Sequence, residues 1–250
     1  MTEYLSYLLV FVVGFVSAGY GVSAGGGALL TVPFLTFMGL NPVHAVATSK
    51  LGSLGLSISG LWSFSRQGHV DWRIGWWMTA LMGVGSLIGT YALVSTPIAW
   101  VKQAIAVMIL FVLLLFFLFP KAGLQQQKAP PNAGRFWGGL CLTFLLGILT
   151  GFYQGGAGTM AAYIMILCFG QDFLHSAGTR KLPFLIANGL SLVVLIQHQS
   201  VHFVMGLSLS AGSFVGGYVG SRWAVRKGNR WVKVLFVTVV VLSSLRMLFV

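Results

Sequence analysis

Apolar runs of about 20 residues recur along nearly the whole chain, and no other feature of the sequence limits its possible folds so strongly. A helix needs roughly 20 residues to cross the hydrocarbon core of a bilayer, which is about 30 Å thick. Of the 250 residues, 57% are hydrophobic and only 7% are charged, so little of the surface is suited to water. The sequence therefore predicts an all-α integral membrane protein without a separate soluble domain.

Hydropathy divides the chain into about ten apolar segments, two of which are shorter than the rest. The segments lie at about 4–22, 27–39, 44–65, 73–94, 99–119, 135–153, 158–170, 175–197, 203–222 and 230–249. The second and seventh have about 13 residues each, which as a helix reach only about 20 Å. We therefore expect these two segments to be broken or re-entrant helices.

One polar stretch separates two halves of five segments each. Between Pro120 and Arg135 the apolar pattern is interrupted by three consecutive glutamines and two further prolines. We interpret residues 1–119 as a first membrane repeat, 120–134 as a cytoplasmic linker and 135–250 as a second membrane repeat.

The two halves align in the register that places Lys50 on Lys181. Without a gap, the same register also pairs a histidine and a threonine of each half: His44 with His175 and Thr48 with Thr179. Glycine matches alone would be weak evidence in a glycine-rich chain, but these polar residues in one register indicate an internal duplication.

The charges of the connections predict how the halves are oriented. An odd number of crossings per half requires the second half to insert upside down. Arg66 and Arg73 flank the connection after the third segment, whereas the equivalent connection at 197–200 carries no Lys or Arg. Basic connections favour the cytoplasm, so we expect inverted repeats in the inner or plasma membrane with both termini periplasmic or extracellular.

The same rule accounts for the basic composition. Fifteen Lys and Arg residues stand against three acids, but most of them lie in short connections, so membrane orientation explains them better than a nucleic-acid partner. The basic cluster at 222–233 is interpreted in the same way, as orientation and headgroup contact rather than a ligand site.

Glycine-rich stretches precede both short segments and are candidate ligand-binding elements. They contain Gly25, Gly26 and Gly27 in the first half and Gly155, Gly156 and Gly158 in the second. A helix that begins inside the membrane presents free N–H groups and its positive dipole end, which suits an anion. The alternative is close helix packing, which we prefer for other glycines spaced by four residues: Gly85, Gly89, Gly212, Gly216 and Gly220.

Lys50 and Lys181 are charges placed inside predicted membrane helices. A buried lysine costs a few kcal/mol on insertion scales, so it is expected to face protein or water and to mark a pathway. Polar residues follow on the same helices at helical spacing: Ser53 and Ser57 after Lys50, and Asn188 and Ser191 after Lys181. The alternative is that these long side chains extend to the membrane surface. For Arg180, which starts its helix on the side of the basic connections, the two interpretations carry equal weight.

Neither lysine has an evident acidic partner, because the only acids are Glu3, Asp71 and Asp172. A bound small anion is therefore favoured over a buried salt bridge. Symmetry about an axis in the membrane plane brings equivalent residues together near the bilayer centre. We expect Lys50, Lys181 and the two glycine-led helix starts to form one electropositive site there.

Signatures of enzymes and of bound cofactors are absent from the sequence. It contains no His-Glu-x-x-His, no Gly-x-Ser-x-Gly and no Walker loop, so we expect neither an enzyme nor a cofactor. Cys141 and Cys168 stand singly in apolar segments and are interpreted as packing residues. His44 and His175 are interpreted as interfacial, with a gate or proton relay as the alternative.

Several stretches together resemble the TauE/SafE-type sulfite exporters. They are the segments 25–33, 39–42 and 45–51 in the first half and 151–155 and 177–182 in the second. The resemblance covers almost the whole chain. It implies a transporter of sulfite, organosulfonates or related small anions, with the glycine motifs and the helix starts that contain Thr48, Ser49 and Thr179 near the substrate.

The chain departs from this family pattern at two places. Ile164 stands at the position that matches Pro33, and a lysine after Thr48 and Ser49 fits only part of the family. The identity of the anion therefore stays open, as do the direction of transport, the coupling ion and the oligomeric state.

The sequence favours a secondary anion carrier that works by alternating access between the halves around a midplane site. A passive anion channel is the first alternative, and a membrane scaffold without transport activity is the second. Lysines repeated inside the membrane argue against the scaffold, because scaffolding gives no reason to retain buried charge.

Overall fold

A computed structural model describes residues 2–97, 100 and 133–248 of the chain. Within these ranges every regular element is a helix, which confirms the all-α prediction. The predicted fifth segment, apart from Trp100, and the linker up to residue 132 lie outside the described residues.

The described helices follow the predicted segments closely. Their bounds are α1 Thr2–Ala24, α2 Ala28–Phe37, α3 Pro42–Arg66, α4 Trp72–Ser95, α5 Ala133–Phe152, α6 Ala157–Phe169, α7 Phe173–Thr179, α8 Lys181–Gln197 and α9 Phe203–Leu248. The predicted ninth and tenth segments are two helices that meet at a non-helical kink at Gly228, where φ is 77° and ψ is 178°, and the label α9 covers both.

Among the described residues, five helices are long and apolar enough to cross a bilayer: α1, α4, α5, α7 together with α8, and α9 up to Gly228. α2 and α6 have 10 and 13 residues, which confirms that the second and seventh segments are short. α3 has 25 residues but is not among the five, since Lys50 and many hydroxyl side chains make it more polar.

Equivalent helices begin with equivalent caps. Asn41 accepts a hydrogen bond from the His44 N–H at 2.9 Å, and Asp172 accepts one from the His175 N–H at 2.8 Å. A side-chain oxygen at this position pairs one of the N–H groups that a helix start leaves free. In the first half the helix continues unbroken as α3, whereas in the second half it is divided into α7 and α8 at Arg180.

Each half packs mainly against the other half rather than against itself. α1 and α3 pack on α9, while the equivalent helices α5 and α8 pack on α4. α1 and α3 therefore have their main partner in the second half, just as α5 and α8 have theirs in the first half.

The two helices of each such pair run parallel to each other. Ser208 and Ser213 of α9 donate to the carbonyls of Tyr7 and Gly14 on α1, so contacts advance together on both helices. Likewise, Ser86 and Thr90 of α4 contact Ala187 and Ser191 of α8.

α3 also runs parallel to α9. The Thr48 hydroxyl accepts from the His202 N–H at 3.1 Å near the start of both helices, and Trp62 stacks on Tyr218 farther along.

Glycines spaced by four residues provide the closest of these contacts. A Cβ at Gly89 would meet the carbonyl of Ile148 on α5, and a Cβ at the equivalent Gly220 would meet the carbonyl of Gly19 on α1. Gly85, Gly212 and Gly216 face backbone in the same way. The packing interpretation of these glycines is confirmed.

Candidate anion site

A polar cavity lies where the glycine-rich loops of the two halves meet. It has a volume of about 50 Å³. A space of roughly 10–15 Å³ holds one water molecule, so this cavity suits a few waters or one small oxyanion. Its lining comes from both halves: Gly21, Gly25, Gly26, Gly27, Ala28, Ser53, Ser57, Gln154, Gly158, Arg180, Lys181, Phe184 and Asn188.

The loops require glycine for two physical reasons. Gly25, Gly26 and Gly156 have φ values of 81°, 80° and 77°, in the left-handed region that favours glycine. In addition, a Cβ at Gly25 would lie only 2.6 Å from the carbonyl carbon of Gly158, so the two loops touch backbone to backbone.

The start of α2 borders the same cavity. Gly26, Gly27 and Ala28 line it and Gly27 supplies no side-chain cap, whereas the Leu29 and Leu30 N–H groups one turn on already bond to the carbonyls of Gly26 and Gly27. Free N–H groups at a helix start, together with its positive dipole end, form a favourable environment for an anion.

Lys181, the first residue of α8, is the cation that faces this cavity. Its side chain passes Gly60 of α3, where an added Cβ would stand 3.2 Å from Cε. Only 4% of the residue is exposed, and its ammonium group makes no hydrogen bond or ion pair with the part of the chain that is described. A buried ammonium group in this setting is available to a ligand.

Lys50 has a different environment. It is fully buried, does not line the cavity, and donates from Nζ to the carbonyl oxygen of Thr150 at 2.6 Å. The last helical bond of α5 runs from the Tyr153 N–H to Leu149, so the Thr150 carbonyl has no partner within its helix. Lys50 supplies that partner.

Arg180 ties the loops of the two halves together. Its guanidinium donates to the carbonyl of Gly158 at 2.8 Å and to the carbonyl of Ser23 at the end of α1. The residue is 1% exposed and lines the cavity. Both of its partners are neutral carbonyls, so its positive charge also contributes to the field in the cavity.

Polar side chains complete the lining. Gln154 donates from Nε2 to Ser53 at 2.9 Å and to Ser49 at 3.3 Å, and Ser49 shares a 2.7 Å hydrogen bond with Thr31. Asn188 keeps its Oδ1 atom buried and without a hydrogen-bond partner among the residues described. An unpaired buried oxygen of this kind is costly unless a ligand or water completes it.

Buried positive charge is not balanced by carboxylates. Lys50, Arg180 and Lys181 are all buried, yet none of the three forms an ion pair with a side chain that the structure describes, while His175 pairs with Asp172 at 2.9 Å. Taking unpaired charge out of water costs several kcal/mol per ion, and a bound anion offsets part of that cost. No group of three His, Cys, Asp or Glu residues suited to a metal occurs among the described residues.

The cavity unites most of the predicted site residues. Nine line it: Gly25, Gly26, Gly27, Gly158, Ser53, Ser57, Arg180, Lys181 and Asn188. Six others lie near but outside the lining: Lys50, Thr48, Ser49, Thr179, Gly155 and Gly156.

Thr48 and Thr179 have equivalent contacts away from the cavity. The Thr48 hydroxyl accepts from the His202 N–H at 3.1 Å, and the Thr179 hydroxyl accepts from the Asp71 N–H at 2.9 Å. Each threonine thereby joins its helix to the start of the partner helix in the other half.

Four lining residues were not among the predicted site residues: Gly21, Ala28, Gln154 and Phe184. Gln154 is the one amide side chain in the second glycine-rich stretch, and an amide inside an apolar, glycine-rich segment was a signal that could have identified it. Phe184 has no comparable signal, because one phenylalanine among 19 in an apolar chain does not stand out.

Comparison with known proteins agrees with this membrane architecture. The family model described as sulfite exporter TauE/SafE matches residues 7–247. The probable membrane transporter protein YfcA of Escherichia coli K12 is 30% identical over 252 residues, which cover 98% of this chain and 91% of that protein. A probable membrane transporter protein of Haemophilus influenzae is 27% identical over 241 residues, covering 96% and 94%. No solved structure matches.

Proposed function

This chain belongs to the TauE/SafE sulfite exporter family, and we propose that it is a secondary transporter that carries a small oxyanion through the cavity at Lys181. The observation that carries the proposal is the buried Lys181 ammonium, which faces a cavity and has no counter-ion among the described residues. We propose sulfite or an organosulfonate as the cargo, with export as the direction.

The chemistry of the lining supports this class of substrate. Oxygen atoms of a sulfite or sulfonate group can accept from the Lys181 ammonium and from N–H groups at the start of α2. Phe184 and Ala28 add apolar surface to the same cavity, which suits the short carbon chain of an organosulfonate.

The helix directions support inverted repeats. α4 follows α3 after a short connection and so returns across the membrane, whereas α9, the equivalent of α4, runs parallel to α3. That difference is expected if the second half is upside down relative to the first. We therefore propose alternating access around the cavity, with both termini outside the cytoplasm and the chain in the inner or plasma membrane.

The contacts of the two lysines suggest that they have different roles. We propose that Lys181 binds the anion directly and that Lys50 secures the end of α5 through the Thr150 carbonyl. Arg180 is then a positioning residue that holds the loops at Ser23 and Gly158 around the cavity.

Anion binding can be tested on purified protein by ligand-induced thermal stabilisation. Sulfite, sulfate, thiosulfate, sulfoacetate and carboxylates should be compared, and we expect sulfite or sulfoacetate to stabilise the parent most. Lys181→Met should remove the stabilisation, whereas Lys227→Met, at an exposed position, should retain it. Equal stabilisation of the parent and Lys181→Met would place the anion elsewhere.

Transport in vesicles separates the carrier from its alternatives. A carrier should show saturable uptake and counterflow when unlabelled anion is present inside. A passive channel should instead conduct at rates far above carrier turnover without counterflow. A scaffold should show neither.

A further inference from the structure

Two arginines and two aromatic rings lie together where α3 ends and α9 approaches its kink at Gly228. The Arg66 guanidinium lies 4.7 Å from the centroid of the Trp62 ring, and Trp62 stacks on Tyr218 at 5.4 Å. The Arg222 guanidinium lies 5.4 Å from the Tyr218 ring and donates to its hydroxyl at 3.1 Å. We call these four residues the arginine–ring cluster.

The two guanidinium groups carry positive charge that no carboxylate balances. Neither Arg66 nor Arg222 forms an ion pair in the described portion of the chain. A guanidinium that lies over a ring still presents N–H groups at its edge, and these match the oxygens of a phosphate in a bidentate manner. The cluster therefore offers two oriented phosphate donors.

Helix packing does not require these residues. The pairing of α8 with α4 is equivalent to that of α3 with α9, and there the same positions hold uncharged side chains: Val193, Gln197, Leu87 and Tyr91. The positive-inside rule explains basic residues at one end of the helices. It does not explain two guanidinium groups that are each aligned on a ring.

The position of the cluster indicates a lipid partner. Trp62 is 44% exposed although it lies on a long membrane helix, and Arg66 is the last residue of that helix. Aromatic rings at such helix ends lie at headgroup level, where lipids are permanently present. Arg226 and Lys227 are exposed on the next turn of α9 and extend the positive surface.

We propose that the arginine–ring cluster is a binding site for the headgroup phosphate of an anionic phospholipid. The guanidinium group of Arg66 or of Arg222 donates to the phosphate oxygens, the other adds positive charge beside it, and the acyl chains lie along the apolar surface of α3 and α9. Net negative lipid charge complements the site, so phosphatidylglycerol binds in preference to phosphatidylcholine. This site is separate from the anion cavity and does not depend on the proposed transport.

The test compares lipid binding to purified full-length variants of equal net charge, by native mass spectrometry and thermal stabilisation. The double variant Arg66→Gln with Arg222→Gln removes the site. Its matched control is Arg73→Gln with Arg135→Gln, two exposed arginines of the proposed cytoplasmic side. Phosphatidylglycerol, phosphatidylcholine and inorganic phosphate serve as probes.

We expect the site variant to bind phosphatidylglycerol about tenfold or more weakly than the parent, and the control to lose clearly less. Trp62→Leu keeps both charges, removes the ring and should also weaken binding. Melting temperatures in phosphatidylcholine must match the parent, which excludes misfolding as the cause.

Three results would overturn the proposal. Equal losses in the site and control variants would show general surface attraction only. Equal competition by inorganic phosphate would show a free-phosphate site rather than a lipid site. Unchanged phosphatidylglycerol binding in the site variant and Trp62→Leu would place the lipid elsewhere.

Discussion

Lys50 and Lys181 occupy equivalent positions in the two halves, yet one bonds to a carbonyl and the other faces a cavity. The difference arises at the helix that each lysine approaches. α5 ends at Phe152 and leaves the Thr150 carbonyl for Lys50. In the first half α1 continues through Ala24, so the carbonyl of Gly19, the residue that matches Thr150, stays inside a helix.

This comparison shows that residues at matching positions of the two halves can have different contacts. A small difference in where a neighbouring helix ends determines which lysine has a protein partner. The lysine without one is available to a ligand. Matched variants of the two halves test this contrast.

Side-specific labelling has the largest expected effect, because accessibility is nearly all or none. After replacement of Cys141 and Cys168 by alanine, single cysteines are introduced as Gln67→Cys and His198→Cys, at equivalent turns of the two halves. An impermeant maleimide added to intact cells should label only the cysteine at position 198. Gln127→Cys, in the linker, should behave like position 67.

Labelling of positions 67 and 198 from the same side would contradict the inverted arrangement. The packing of each half's helices on helices of the other half would then need another explanation. Detergent-solubilised protein provides the control, since both cysteines should react there.

Lys181→Met and Lys50→Met should separate the two lysines by ligand affinity. A hydrogen bond to a charged group contributes about 1.5–3 kcal/mol, so Lys181→Met should weaken anion binding roughly 10- to 100-fold. Lys50→Met should weaken it less than Lys181→Met does, because Lys50 does not line the cavity and its ammonium group is already bonded to the Thr150 carbonyl. Isothermal titration with the preferred anion measures both variants.

A large and equal loss of affinity in both variants would support the single shared site that the sequence predicts. A loss of anion affinity in Lys50→Met alone would show that Lys50, rather than Lys181, binds the anion. Arginine at position 181 should recover part of the affinity if charge, rather than shape, is what the ligand requires.

Gly89→Ala and Gly220→Ala should destabilise the protein by similar amounts. In each case the new Cβ meets a backbone carbonyl of the helix from the other half, and such overpacking costs about 1–3 kcal/mol. Gly189→Ala is the control, since nothing lies within 4 Å of its added Cβ. Thermal unfolding in detergent compares the three variants.

Similar losses would indicate that the two interfaces are equivalent in packing although their lysines differ. A loss at Gly89 without one at Gly220 would limit the symmetry to part of the fold.

Thr48→Val and Thr179→Val should have the smallest effect. Each removes the acceptor for one N–H group at the start of a partner helix, at a cost of about 1 kcal/mol. Anion affinity should stay within about twofold, since neither threonine lines the cavity. Serine at either position retains the hydroxyl and should restore stability.

If either valine variant lost affinity without losing stability, that threonine would be a ligand-binding residue, as the family resemblance implies. Unfolding and titration measured on the same preparation distinguish the two outcomes.

The sequence predicted the helical fold well because hydropathy and loop composition are local properties. The long apolar segments form the long helices, and the glycine-rich stretches precede the two short helices. The break at Arg180 was not predicted. It separates α7 from α8 within a segment whose equivalent, α3, is continuous. Pro183, which stands where the first half has Gly52, was the local signal, because a proline within a helical pattern removes one N–H donor and favours a break just before it.

The candidate site was predicted in part. Lys181, Asn188 and the glycines were found because polar residues are costly inside a membrane and therefore stand out. Gln154 and Phe184 were missed, since their place in the cavity depends on how a loop of the second half meets α3 and α8.

The sequence by itself determined the all-helical membrane architecture and the set of buried cations, because both follow from residue type and spacing. Only the tertiary structure decided which of two equivalent lysines is free. That choice depends on a contact between Lys50 and Thr150, 100 residues apart, and on a carbonyl that loses its partner where α5 ends. Sequence spacing carries no record of such a contact, because it arises only when helices from different halves pack together.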